Sequence, residues 1–581
     1  MKQRPLPAHL RKYVVEQDYE KYSPIDHAVW RYVMRQNHNF LKDVAHGAYT
    51  DGLVSSGIHI DSVPNIEEMN ESLQPFGWGA VTIDGFIPAV AFFDFQAHGY
   101  LPIATEIRKL ENIDYTPAPD IIHEAAGHAP ILCDKKYAEF VKRFGEIGSK
   151  ALATKEEHEV FDAIRTLSDL LEKGSATEEE ILAAKMNLEM KQSLIEEVSE
   201  AEQISRLYWW TVEFGMIGTV NHPTLYGAGL LSSIGEGVNS LSDEVEKVPF
   251  DLETAINTGF DITTQQPQLF VCEDFDVLTA AVEEFAEGMA VRVGGTESLD
   301  KAVRSANTAT AVLSSGIQVT GTFTNLVKAD TGEAIYLQTT GETALALDDE
   351  TIVGHGKKEH CHGFGSPIGK VRGCEKPLED WNNTDFQLNG LVLGESFTLV
   401  FEHGLVVEGV LNEVVLKNGK VIMLAIKHAS VAYNGEVLFE SGDGVYDMAV
   451  GTTVTSVFAG AADSEHFYGE ATKRDDVQQS TPLKTLTPLE RLYGEIRELR
   501  EQEKTPQEII HTIQQVNHEL DCFPDDWLLR LEIVEILTVN PLLPKTREKL
   551  IGELELLKQQ HSSLQKWIDN GLQLIKVRQT A

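Results

Sequence analysis

The hydrophobic period changes twice along this chain, and that change restricts its architecture more than any other feature. Over residues ~1–295 apolar positions recur at helical spacing between loops. The run 26–46 sets Val29, Tyr32, Val33, Phe40 and Leu41 near that spacing, and VPNIEEMNESL (63–73) reads as a further helix start. Over ~310–455 the pattern becomes β-branched and alternating, as in GIQVTGTFTNLV and KVIMLAIKHASVAY. Asn418-Gly419 and Asn434-Gly435 sit between such runs, the strongest short-range hairpin signal. A polar, irregular stretch at 456–484 reads as a linker. Beyond it, Thr487-Pro488-Leu489-Glu490 and Thr505-Pro506-Gln507-Glu508 are two capping boxes with proline at the first helical position, followed by apolar periodic runs at 527–538 and 545–575.

A chain of 581 residues has room for roughly three domains. The expected multi-domain order is a mainly α-helical (α+β) part at 1–295, an antiparallel β-rich domain at 300–455, the linker, and a C-terminal bundle of about four helices at 485–581. Within the first part, ~150–205 is more charged than its surroundings. Thr177 with Glu180 is a capping box after the Gly174-Ser175 break, so this segment reads as a solvated helical insertion.

Lys+Arg total 49 against 90 Asp+Glu, a net charge of −41. Such a surface repels phosphate backbones and anionic lipid, so neither nucleic acid nor a membrane is an expected partner. No stretch approaches 18 apolar residues, and MKQRPLPAHLRKYVVEQ lacks the apolar core of a secretory signal. Cys133, Cys272, Cys361, Cys374 and Cys522 are odd in number and sparse, which is not a disulfide framework. A cytoplasmic enzyme is the expectation.

The chemistry concentrates in DYTPAPDIIHEAAGHAPIL (114–132). Pro117 and Pro119 hold the chain extended, and Asp120 can cap a helix beginning at Ile121. His123 and His128, five apart, would lie about 140° apart on a straight α-helix. A break at Gly127 would let His128 turn back from a frayed end; two histidines satisfied within a helix is the alternative. The order His-Glu-x-x-x-His fails the zinc-protease spacing His-Glu-x-x-His, which disfavours a metal-dependent hydrolase. In LYWWTVEFGMIG (207–218) Glu213 is the only charge, and burying it requires a partner: a divalent metal, an arginine or a proton. With His123 and His128 it would complete a two-His, one-carboxylate set with open positions, suited to non-haem Fe(II) oxygen chemistry.

TPAPDIIHEAAGHAP, YWWTVEFG and YGAGLLSSIGE (226–236) resemble the three catalytic signatures of the pterin-dependent aromatic amino acid hydroxylases, and QPQLFVCEDFDVLTAAVEEFAEG (266–288) is similar to the end of their catalytic domain. The resemblance covers about 10–290. It implies His123, His128 and Glu213 as iron ligands, Tyr208 close to the metal, and Glu236 as a carboxylate beside the substrate loop. It implies Arg108 on the substrate carboxylate, Thr116 and Ser232 on the amino acid backbone, and Trp209 as an aromatic wall. For the pterin it implies Gly85, Phe92 (or Phe93 if the register slips) and Glu124. The cofactors implied are Fe(II) and a tetrahydropterin, with O₂ as cosubstrate. Trp209 and the catalytic-first order look like the bacterial phenylalanine-hydroxylating members; tyrosine and tryptophan hydroxylation are the alternatives. Leucines commonly fill the middle of the His motif where this chain has Ala125 and Ala126. Outside the resemblance, His355, His360, Cys361 and His362 form a cluster that is either a soft-metal site or a Gly-rich surface loop, and the tail helices could pack internally or drive homo-oligomerisation.

Overall fold

The computed structural model describes residues 5–83, 87–113, 120–173, 176–262, 264–442, 444–469 and 486–580. The helix Pro24–Val44 organises the first part. Ser23 and Asp26 close a capping box around its start, with Pro24 in the first turn. Val29, Tyr32, Val33 and Leu41 are buried as their spacing predicts, but so are Arg31, Arg35, Gln36 and Asn37 on the other faces. This helix is covered from two sides. One side meets the rest of the first part, which carries two small sheets. Gly79–Ile83 pairs in parallel with Tyr100–Ala104. The strands His222–Leu225, Met216–Thr219, Gln268–Cys272 and Glu246–Pro249 lie in that order in the second.

The charged insertion forms two helices, Lys155–Lys173 and Glu178–Gln192, and the capping box of Thr177 with Glu180 opens the second. Glu200–Tyr208 is a separate helix with buried Ile204, Leu207 and Tyr208, packed into the same core as the rest of the first part.

The β-rich part is two antiparallel sheets. Glu350–Thr351, Ala334–Leu347, Ile317–Lys328, Thr308–Leu313 and Val454–Ala459 form one, with Gly363–Pro367 also on Ala334–Leu347. Ser396–Val400, Val406–Lys417, Lys420–Tyr433 and Glu436–Glu440 form the other, with Val445–Ala449 also on Lys420–Tyr433. Both Asn-Gly pairs make the expected two-residue turns. Asn418 and Gly419 have φ of 51° and 78°, and Asn434 and Gly435 have 52° and 83°, the left-handed pair that matches strand twist. Two boundaries differ from expectation. Val454–Ala459 continues the first sheet into the stretch read as linker, because Val457 and Phe458 are buried. Ser464–Tyr468 then forms a short helix, and 470–484 lies outside the described residues.

The tail has five main helices. Pro488–Glu501 and Pro506–Glu519 start at the predicted capping boxes. Leu528–Val539 follows, and the run 545–575 divides at 562–564 into Pro544–Gln560 and Gln565–Thr580. These helices dock on the second side of Pro24–Val44. Arg31 Nε bonds both Glu532 carboxylate oxygens at 3.0 and 3.1 Å, and Arg500 Nε lies 3.0 Å from the same Glu532. Arg35 pairs with Asp61 at 2.6 Å and also with Glu535. Tyr32 stands edge-on to Trp527 at 5.2 Å.

Candidate metal and hydroxylation site

Asp120 sets the site's geometry. Its Oδ1 accepts the His123 N–H at 3.1 Å, capping the segment Ile122–His128. The same carboxylate takes Arg108 bidentately, Nε to Oδ2 and Nη2 to Oδ1 both at 2.8 Å, with both side chains 3% exposed. Ile122–His128 is wound as a π-helix, in which each backbone bond spans five residues. Residues five apart therefore return to one face. That winding, rather than a frayed end at Gly127, brings His128 back to His123. Gly127 serves the packing instead. A Cβ there would stand 2.7 Å from the Ala228 carbonyl oxygen, so only glycine lets the helix Ala228–Ser232 lie so close. Glu213 ends a second π-wound segment, Trp209–Glu213, continuing Glu200–Tyr208.

The three side chains converge. Glu213 Oε2 is 3.1 Å from His123 Nε2, and Oε1 is 3.3 Å from His128 Nε2. The imidazoles are perpendicular with centroids 5.2 Å apart. His128 Nε2 is buried without a hydrogen-bond partner, as is Glu124 Oε2 3.8 Å away. Burial alone would raise the Glu213 carboxyl, yet the imidazoles of His128 and His123 hold it well below the usual carboxylate range. Burial would likewise lower His123, and the Glu213 carboxylate outweighs it, pushing the imidazole up to about 9. Two neutral-capable nitrogens and a carboxylate, with one nitrogen orphaned toward the centre, fit a divalent ion gripped from one side.

The surrounding groups support that centre. Ser232, implied on the substrate backbone, has its Oγ 3.0 Å from His123 Nδ1, placed to accept the Nδ1–H; this orients the ring and leaves Nε2 facing Glu213. Tyr208 accepts a bond from Gln96 Nε2 at 2.6 Å and is ringed by Phe92, Phe93 and Phe144. Phe93 is buried in the core whereas Phe92 is half-buried. Trp209 stacks on Phe260 at 4.3 Å and donates to Gln266 Oε1 at 3.3 Å. Burial pushes the Glu236 carboxyl up to about 7, against a bond from the Gln266 backbone. Burial also raises Glu124. Gly85 and Thr116 lie outside the described residues. Ala125 and Ala126 are both fully buried.

Three contributors escaped the sequence. Gln96 and Gln266 carry no pattern of their own, and Asp120 shows only as a helix cap. Of the second histidine cluster, His355 and His360 face each other, whereas Cys361 and His362 are exposed.

The family model for biopterin-dependent aromatic amino acid hydroxylases matches residues 12–165 and 184–309. Phenylalanine-4-hydroxylase of Pseudomonas aeruginosa is 31% identical over 264 residues, 45% of this chain and 84% of that protein. This chain belongs to that family. Phenylalanine-4-hydroxylase of Mesorhizobium japonicum is 29% identical over 47% of this chain and 83% of its own length. A solved phenylalanine hydroxylase of Chromobacterium violaceum, with iron(III) and 7,8-dihydrobiopterin bound, is 28% identical over 48% of this chain and 86% of that one, with a TM-score of 0.38. Between its two matched stretches, residues 166–183 fall outside the family model; they span the end of Lys155–Lys173 and the start of Glu178–Gln192.

Proposed function

We propose that this hydroxylase converts L-phenylalanine to L-tyrosine with O₂ and a tetrahydropterin. The observation that carries it is the convergence of His123, His128 and Glu213 inside a family whose curated relatives here are phenylalanine-4-hydroxylases. One oxygen atom enters the ring and the other ends on the pterin, which supplies two electrons. Bound iron and pterin supply the activation of O₂.

The chain's own residues hold and shield. His123, His128 and Glu213 grip the iron from one side and leave the other open. Asp120 occupies one edge of the Arg108 guanidinium, so the remaining N–H groups are pre-aimed at a substrate carboxylate. Trp209, braced by Phe260, walls the ring of the substrate, while Phe92 and Glu124 face the pterin. Gly85 and Thr116 take the roles their motif positions imply. Water is kept out by the aromatic packing around Tyr208. The hydrolase alternative is not favoured, since the whole motif set belongs to oxygen chemistry.

No helix among the described residues is long and apolar enough to cross a membrane, and all five cysteines are unpaired, which supports a reducing compartment such as the cytoplasm. A second copy meeting through the tail would use its exposed faces, since the buried ones are already packed within the chain.

The test is amino-acid-dependent oxidation of a reduced pterin by the Fe(II)-loaded protein, with phenylalanine, tyrosine and tryptophan compared. Tyrosine formed from phenylalanine is the expected product. Turnover of tryptophan alone would overturn the substrate assignment.

A further inference from the structure

Outside the hydroxylase part, His355, His360 and Asp447 bring three donor atoms to one point. His355 Nδ1 is 3.4 Å from His360 Nε2, and the Asp447 Oδ2 is 3.6 Å from the first and 3.9 Å from the second. A triangle with those sides has its centre about 2.1 Å from every corner, the bond length zinc makes to imidazole nitrogen and carboxylate oxygen. The side chains are 18%, 11% and 19% exposed, so the point is shielded yet reachable.

The backbone fixes this arrangement in advance. The loop carrying both histidines is tied to the strand Ala334–Leu347: Leu345 N–H donates to the His355 carbonyl at 2.9 Å, and Thr343 N–H to the His360 carbonyl at 3.1 Å. The imidazoles stack at 5.6 Å with their planes 17° apart, and Phe364 stands edge-on against His360. Asp447 comes from the other sheet. In Val445–Ala449 the buried Tyr446 and Met448 point into that sheet's own core, and alternation turns Asp447 toward the histidine loop. Glu413 lies near enough to add negative charge at the same place. Two stacked imidazoles with ring nitrogens 3.4 Å apart, both within 4 Å of one carboxylate oxygen, make a poor hydrogen-bond set but a good ligand set.

We propose that His355, His360 and Asp447 bind a divalent first-row transition ion, zinc in the first instance, which clips the two β-sheets together. The site has three protein ligands and keeps at least one position for water. It is distinct from the iron centre in its residues, in the sheets that carry it and in what it does. Two imidazole nitrogens out of three donors argue against calcium or magnesium, which take oxygen ligands. Metal joining the sheets acts on folding, since the unfolded chain cannot assemble the three donors.

The test uses the full chain, stripped with chelator and equilibrated with Zn(II), followed by desalting and metal analysis. Wild type is expected to hold two equivalents per chain. Glu213→Ala, His360→Ala and Asp447→Asn should each hold one, and the Glu213→Ala, His360→Ala double variant none. Zinc should raise the thermal midpoint of Glu213→Ala but not that of the double variant. Asp447→Asn keeps the shape of the residue, and its circular dichroism in the metal-free state separates ligand loss from misfolding. A single equivalent in wild type, lost in Glu213→Ala and kept in His360→Ala, would overturn the second site while leaving the iron centre intact. Loss of only the Glu213-dependent equivalent from every protein would instead count against the iron ligands and leave the clip standing.

Discussion

Glu213 stays ionised while buried because two imidazoles face it, and each imidazole must be aimed before it can do so. Ser232 does the aiming for His123. Ser232→Ala should therefore weaken iron binding about 10–100-fold, the usual cost of losing a group that orients a metal-bound histidine. Chelator competition measures this. Unchanged iron affinity would mean that the ring is held by packing alone. Glu236 makes the opposite kind of prediction. Its folded pKa of about 7 stands above the ordinary 4.5 because burial penalises the charge. The native state thus binds its proton more tightly, and stability falls as pH rises from 4.5 through 7. Glu236→Gln removes that penalty, so the variant should gain about 3 kcal/mol over wild type at about pH 8 and almost nothing at about pH 4.5. Denaturant midpoints at the two pH values decide it; an equal difference at both would remove ionisation as the cause.

At the scale of the element, the two ligand-bearing segments share one device. Ile122–His128 and Trp209–Glu213 are both π-wound, a geometry that costs backbone hydrogen-bond quality and recurs at functional sites. The candidate triad that converges in the structure was legible in the sequence, because a metal motif uses few residue types. The winding was not, since α and π turns use the same residues and differ only in what packs against them. Gly127 belongs to that packing. Gly127→Ala places a methyl 2.7 Å from the Ala228 carbonyl oxygen and 3.1 Å from the Ala228 Cβ, both on the helix that ends in Ser232. Backbone cannot yield as a side-chain tip can, so the helix must shift and carry Ser232 off His123. The variant should fold with a lower midpoint, by about 1–3 kcal/mol, the usual cost of overpacking a filled site, and should retain less iron. Full iron retention with wild-type stability would show that the two helices have slack. The hairpins of the β-rich part were legible for the converse reason: Asn-Gly turns state their own geometry, whereas Asp447 meeting His355 and His360 depends on how two sheets pack and leaves no local trace.

Across the whole molecule, the tail and the hydroxylase part share one core, joined by an ion cluster that no sequence pattern announces, since Arg31 and Glu532 are 501 positions apart. Composition shows a helical tail; it does not show that the tail's buried carboxylates answer to arginines on Pro24–Val44. Glu532 is 3% exposed and serves both Arg31 and Arg500. Burial alone would raise its carboxyl, but the guanidiniums of Arg31 and Arg500 hold it down at about 2. A depressed carboxylate contributes stability that is present above its unfolded value of 4.5 and is lost as pH falls through 2. Glu532→Ala leaves two guanidiniums buried without their shared anion and should cost about 3–5 kcal/mol near neutral pH. Replacing Arg31, Arg500 and Glu532 together with apolar residues of similar size should recover most of that loss, because a complete ion cluster also carries the cost of dehydrating its charges. Unfolding followed by tryptophan fluorescence is suited to the measurement, with Trp30, Trp527 and Trp567 in the shared core. If the tail docks as described, Glu532→Ala lowers the midpoint of the hydroxylase part and the tail together in one transition. Two separate transitions, with only the tail affected, would mean that the helices are an appendage and that Pro24–Val44 is stable without them.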